Sequence, residues 1–475
     1  MTTNNQTSET KFKPVFSLWD GTMIVAGSMI GSGIFIVSAD IARNVGSSGW
    51  LIAVWLITGF MTITAAVSYG ELSGMFPKAG GQYVYLREAY NPLTAFLYGW
   101  SFFSVIQTGT IAAVAVAFSK FLAYMIPAFS EDHVLLSLGF VNISPAQIVS
   151  ILSLVLLTYI NSRGVQSGKI IQTTLTVIKI VSLFGLIVFG LWLAKADVWN
   201  ANWTNSWNLF ERSKENGVIP YLTMAAAFGA IASAMIGSIF SSDSWNNVTF
   251  IAGEMKNPQR NIGLSLFLGT LIVTIIYIST NFMYLAVLPM NEIAFAANDR
   301  VGVAAADVIF GASGATIIAV MIVISTFGCN NGLILSGARV YYTMAKDGLF
   351  FRKAANLNKF AVPQWSLWAQ CVLASIWCLS GKYGDLLNMV SFVVVVFYML
   401  TIVGIFILRK ERPNADRPYK AFGYPVLPVI YIVMGIMFCT LLMVYETTYT
   451  VWGLVITLAG IPIYYVLGRR SKSQV

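Results

Sequence analysis

The chain has 475 residues, 57% hydrophobic and only 10% charged, with a formal net charge of +9. Soluble proteins of this length carry about a quarter charged residues. The deficit, with a mean hydropathy of +0.72, excludes a soluble globular domain and points to a polytopic membrane protein.

Apolar stretches near the ~20 residues needed to cross a bilayer predict twelve spans. In chain order they are 17–42, 49–72, 93–126, 144–160, 169–194, 220–252, 262–288, 313–344, 366–380, 386–408, 426–445 and 449–467. The polar segment Met1 to Lys13 lacks the apolar run of a cleavable signal peptide. With the N-terminus in the cytoplasm, twenty-one of the 29 Lys and Arg fall inside and six outside, Lys120 and Lys179 lying within spans. This bias places both termini in the cytoplasm of a multi-pass protein of the cell (inner) membrane. It also accounts for the positive charge without a nucleic-acid partner.

Span one is interrupted at Gly27-Ser28-Met29-Ile30-Gly31-Ser32-Gly33-Ile34-Phe35, and span six at Phe240-Ser241-Ser242-Asp243-Ser244-Trp245-Asn246-Asn247. Backbone polar groups cannot stay unpaired against lipid, so such breaks are expected only where they line a protected cavity. Breaks at matching places in two halves of a membrane protein point to a solute site near the midplane. Five spans per unit is an odd number, so two successive units enter the membrane from opposite faces. The predicted fold is therefore all-α with twelve transmembrane helices, a 5+5 inverted-repeat core and two C-terminal helices. Its parts are a tail 1–16, a first repeat 17–194, an outer loop 195–219, a second repeat 220–408, a cytoplasmic linker 409–425, spans eleven and twelve at 426–467, and a tail 468–475.

The residues at the breaks suggest their chemistry. Glycines let the chain leave helical geometry, and the half-helix resuming near Ile34 offers free N–H groups and a positive dipole end to a carboxylate. Gly27-x-x-x-Gly31 is also a motif for close helix packing. At the second break, carbonyls freed near Phe240 suit an ammonium group, and the Phe240 ring either covers the ligand or packs in the core. Lys179, near the centre of span five, costs about 2.5–3.5 kcal/mol on insertion scales. It either pairs with Asp243 or stands in for a coupling cation, holding span one and removing the need for sodium. Gln107, Asn281, Asn330 and Asn331 line the cavity or tie helices together. The loops 76–90 and 253–261 are expected as tight connections anchored at the interface, with tyrosines at headgroup level and Glu254 sharing in an inner gate. The four cysteines lie scattered in apolar spans, and His133 has no partner set, so no metal site or disulfide framework is expected.

These motifs, with Phe327-Gly328-Cys329-Asn330-Asn331-Gly332 and Lys179, resemble the amino acid–polyamine–organocation superfamily, and within it bacterial members similar to the L-type amino acid transporters. The resemblance covers essentially the whole chain. It implies sodium-independent exchange of neutral L-amino acids by alternating access, without enzymatic activity or cofactor. The amides of Gly31, Ser32 and Gly33 would bind the substrate carboxylate. The carbonyls of Met29, Phe240 and Asp243 would accept its amino group. Phe240 would be the gating aromatic and Lys179 the sodium substitute. Ser241, Trp245, Tyr284, Phe327, Asn331 and Gln107 would belong to the gate and side-chain pocket. Ser244 stands where glycine is common, and Cys329-Asn330 replaces smaller or apolar residues. Animal relatives pair with a single-span glycoprotein, whereas this chain is expected to work alone among membrane lipid. A proton-coupled or uniport permease, accepting large neutral or cationic amino acids, is the alternative.

Overall fold

The computed structural model describes residues 12–137, 142–380 and 383–472. Residues 1–11 and 473–475 of the expected tails, and Lys382, lie outside the described residues. Ten helices are long and apolar enough to cross a membrane, and an eleventh span is the pair Leu18–Met29 and Gly33–Val45, bent by 42° at its break. The remaining expected span is Gln364–Ser380, 17 residues, about 26 Å long at the α-helical rise.

Spans two to five are Ser48–Met75, Pro92–Met125, Pro145–Ser162 and Val165–Trp192. Prolines at the first helical position, as in Pro92, Pro145 and Pro258, sit where a missing N–H costs nothing. Span three carries a π-helical turn at Phe102–Ile106 just before Gln107. Span six runs Met224–Ser241 and resumes only as the short turn Asn247–Phe250. Span seven is Pro258–Val287 and span ten Tyr383–Glu411. The last two are Val426–Tyr445 and Thr447–Lys472.

Corresponding spans of the two five-span units are neighbours: two packs most extensively on seven, three on eight, and the outer half of one on the first part of six. Gly70 and Gly263 face each other between spans two and seven, a small-residue contact that lets two backbones approach without polar glue. Below span two, the buried Glu71 accepts both Nε and Nη2 of Arg409 at 2.9 and 2.7 Å and the amide of Ala421 at 2.8 Å. Arg417 pairs with it at 3.3 Å. The linker 409–425 is therefore pinned beneath span two.

One expectation needs correction. Tyr83 and Tyr85 are 0% and 1% exposed. They belong to the helix Gln82–Ala89, which is tucked under span six instead of lying at the headgroups. Positive φ angles at Gly80 and Gly81 turn the chain into the protein there. Span eight begins where expected, after a break at Gly311 with φ 72° that separates it from a preceding helical segment starting at Val301. The outer loop is itself ordered, with a helix Ala196–Trp203 and a hairpin pairing Phe210–Ser213 with Gly217–Pro220.

Candidate functional site

Both breaks are present, and they touch. The first half-span is fixed at its start by a capping box between Ser17 and Asp20 and ends at Met29. Ile30 then leaves helical geometry, and the second half-span begins at Gly33. The Gly31 amide turns back onto the Met29 carbonyl at 2.8 Å. No side chain caps the new helix at Ser32; the Phe35 amide returns to the Ser32 carbonyl at 3.0 Å, and the Gly33 and Ile34 amides keep the unsatisfied donors of a helix start. A Cβ on Gly33 would fall 1.9 Å from Ser241 Oγ. Glycine is what allows the first break to lie directly against the second.

The second break is built by hydroxyl and carboxylate groups that compete with the helix for backbone bonds. Ser242 closes the first half of span six, and Asp243 N returns to the Phe240 carbonyl at 3.2 Å. Ser244 takes φ 67°, a left-handed conformation that a glycine would adopt without steric cost. Asn246 donates to Gln82 Oε1 at 2.9 Å, and Gln82 donates to Thr401 at 3.0 Å, which supports the break from the buried loop helix and span ten.

Lys179 is 1% exposed and donates to the carbonyls of Gly27 (2.8 Å), Ile30 (2.7 Å) and Ser325 (3.2 Å). The last carbonyls of a helix have no intrahelical partner, and a cation there satisfies both their lone pairs and the negative dipole end. Lys179 thus caps the first half-span and ties it to spans five and eight. It does not pair with Asp243, whose carboxylate instead accepts from Tyr398 OH at 2.5 Å.

Sequence reasoning missed two tyrosines. Tyr277 of span seven places its hydroxyl 2.9 Å from both the Met29 and the Ser241 carbonyls, bridging the breaks. Tyr383, just before the expected start of span ten, sets its hydroxyl 3.1 Å from Ser32 Oγ, with its ring edge-on to Phe240 at 6.2 Å. A phenol within or just before an apolar span was the only signal for either.

The other candidate residues are dispersed around this centre. Gln107 donates to the Leu333 carbonyl at 2.7 Å and, with Asp243, Tyr98 and Asn247, lines a water-sized cavity of about 10 Å³. Trp245 packs among Tyr69 and Tyr398 at 4.8 and 5.0 Å, on the span-two and span-ten side of the break. Tyr284 reaches the Ile34 carbonyl at 3.2 Å, a turn beyond the break. Asn331 bonds Asn161, Gly168 and Gln172, joining spans four, five and eight. Phe327 faces Phe118 with ring centroids 6.0 Å apart. Asn281 meets Ser38 at 2.7 Å, a tie between spans one and seven.

A cavity of about 1230 Å³ enters from the face away from the termini, between Val37 and Asp40 of span one, Lys120 of span three, Gly237 of span six and Asn388 of span ten, with Tyr383 in its wall. The termini face is shut. Glu254 and Arg339, 2% and 1% exposed, pair at 2.8 Å. The amides of Val15 and Phe16 donate to the Glu254 carbonyl at 2.8 and 3.0 Å, and Lys169 pairs with Asp20 at 2.9 Å. One side of the breaks is open and the other is locked.

Comparison with known proteins agrees with this architecture. The family model described as amino acid permease matches residues 16–467. The chain is similar to the serine/threonine exchanger SteT of Bacillus subtilis, 29% identical over 98% of this chain and 100% of that protein. It is similar to the human large neutral amino acids transporter small subunit 2, 27% identical over 93% of this chain and 78% of the relative. With the mouse b(0,+)-type amino acid transporter 1 it shares 28% identity over 92% of this chain and 84% of the relative. A matched model across nearly the whole chain, over a bundle whose first and sixth spans break against each other, means that the chain belongs to the amino acid permease family.

Proposed function

We propose that the protein exchanges small neutral L-amino acids, such as serine, threonine and alanine, across the cell membrane by sodium-independent alternating access. The observation that carries this reading is the contact between the two breaks, with Tyr383 linking the first break to the wall of the open cavity. Uncapped amides at Gly33 stand on one side and carbonyls of the span-six break on the other. A zwitterion presents a carboxylate to the first and an ammonium to the second. In this reading the amides of Ser32 and Gly33 hold the carboxylate, with Gly31 released from Met29 on binding. The carbonyls of Met29, Phe240 and Asp243 receive the amino group. Lys179 supplies, as a fixed ammonium on span-one carbonyls, the positive charge that a coupling ion would bring. The printed name of the Bacillus relative, a serine/threonine exchanger, supports the substrate class.

The open cavity then faces outside and the Glu254–Arg339 side faces the cytoplasm, where both termini lie. Transport reverses these states by moving spans one, two, six and seven against the rest. Because a ligand shifts a conformational equilibrium only through its differential affinity for the two states, exchange requires a bound amino acid for each return. The chain performs this without a glycoprotein subunit. The purified chain, alone in sodium-free proteoliposomes, tests the reading. Internal labelled serine should leave only when an unlabelled amino acid is outside. Release into plain buffer at the same rate would identify a uniporter or a proton-coupled permease instead.

A further inference from the structure

We infer that Tyr383 is an outer gate that positions the substrate carboxylate, a role resting on the transport reading above. Ser32 occupies the N-cap position of the second half-span, where serine ordinarily turns its hydroxyl back onto the helix amides. Here it makes no such bond. Its hydroxyl is instead engaged by the Tyr383 phenol at 3.1 Å, so the Gly33 and Ile34 amides stay open at the point where a carboxylate would dock. The same residue sets its ring edge-on to Phe240 and forms part of the cavity wall. Two aromatic rings, one from span six and one from span ten, therefore meet where Tyr383 lines the open cavity.

This geometry gives the phenol two states with different partners. Without substrate, Tyr383 is held by Ser32. When a carboxylate arrives at the amides, the phenol O–H donates to it, a charge-assisted bond stronger than a neutral hydroxyl pair. The exchange of partners draws span ten over the ligand and completes the floor formed with Phe240. Tyr383 acts through the position of the carboxylate and the closure of the outer path. It contributes nothing to the lock at the termini face, where Glu254 and Arg339 lie.

The prediction therefore has a side. In oriented proteoliposomes, Tyr383→Phe removes only the hydroxyl and should raise the external KM for L-serine about 10- to 100-fold, the factor for losing a hydrogen bond to a charged group. The internal KM and the maximal rate should stay within about twofold. A merely structural tyrosine would move both sides together, and equal shifts on the two sides would overturn the assignment. A second measurement does not depend on transport. Cys329, 2% exposed, donates to the Ser28 carbonyl at 3.0 Å beside Gly31, the neighbour in the chain of the Ser32 that Tyr383 engages. Tyr383→Ala should raise labelling of Cys329 by an impermeant external thiol reagent, read by peptide mass spectrometry, roughly tenfold or more, while Tyr383→Phe leaves it low. Unchanged labelling in Tyr383→Ala would refute the gate. Wild-type chain that fails to exchange amino acids would instead refute the transport reading, and the labelling result would still decide the gate.

Discussion

Replacing Lys179 by methionine tests whether the buried ammonium organises the first break or merely stabilises the bundle. The substitution keeps the apolar stem and removes the donor from three carbonyls, those of Gly27, Ile30 and Ser325. The Ile30 carbonyl retains a bond from Ser325 Oγ at 3.2 Å, and the Ser325 carbonyl lies inside the helix Val301–Lys346 and keeps its intrahelical donor, so the Gly27 carbonyl alone is left stranded. A buried orphan costs about 1–3 kcal/mol. Removing a charge from the bilayer centre returns about 2.5–3.5 kcal/mol. The two effects nearly cancel, with a net loss of at most about 0.5 kcal/mol, and the fold should survive. The break does not survive unchanged, because its helix end has lost its capping cation. If the substrate site loses about 3 kcal/mol of preorganisation, exchange falls roughly 100-fold. Counterflow of labelled serine and thermal unfolding on the same preparation separate the two effects. Normal exchange in a stable Lys179→Met variant would refute the role of the ammonium. Collapse of the fold would refute the energy balance.

Three further substitutions follow from the same geometry. Ser244→Gly should raise the apparent Tm by an amount equivalent to about 1 kcal/mol, because it relieves a left-handed serine at φ 67°; a fall in Tm would mean that the Ser244 side chain contributes more than its strain removes. Gly33→Ala should abolish serine binding, since the new Cβ would lie 1.9 Å from Ser241 Oγ. Adding Ser241→Gly should restore part of it, and a double variant no better than the single would count against direct contact as the cause. Glu254→Ala should cost about 3–5 kcal/mol by stranding buried Arg339. The Glu254→Ala/Arg339→Ala pair should lose less than the sum of its single variants in a double-mutant cycle, whereas simple additivity would show the two groups to be uncoupled.

The apolar spans were legible because length and hydropathy are local properties. The breaks at Gly31–Gly33 and Ser241–Asn247 were legible because small and hydroxyl-bearing residues interrupt an otherwise apolar period. The depth of Lys179 was also readable, since a charge in mid-span must be satisfied by something. Its partners were not, because three carbonyls from spans one and eight carry no side-chain signature. Tyr277 and Tyr383 were invisible for a related reason. Each is one aromatic among many, and only the fold sets their hydroxyls against Met29, Ser241 and Ser32. The loop helix Gln82–Ala89 was misplaced because tyrosines suit an interface and a buried aromatic cluster equally well. The Tyr69, Tyr85 and Trp245 contacts decide for the cluster. The ordered outer hairpin escaped notice because its short strands lack a clear alternating pattern.

The central claim is that one small molecule is held at both of its charged ends by the two helix breaks. The most direct measurement is a thermal-shift titration of the detergent-purified chain with L-serine, ethanolamine and N-acetyl-L-serine, which differ by loss of the carboxylate and loss of the ammonium. At 100 times its Kd a ligand specific for the folded state adds about 2.7 kcal/mol. L-Serine should stabilise the protein and neither analogue should do so at the same concentration. Equal stabilisation by either analogue would show that one pole suffices, and would contradict the account.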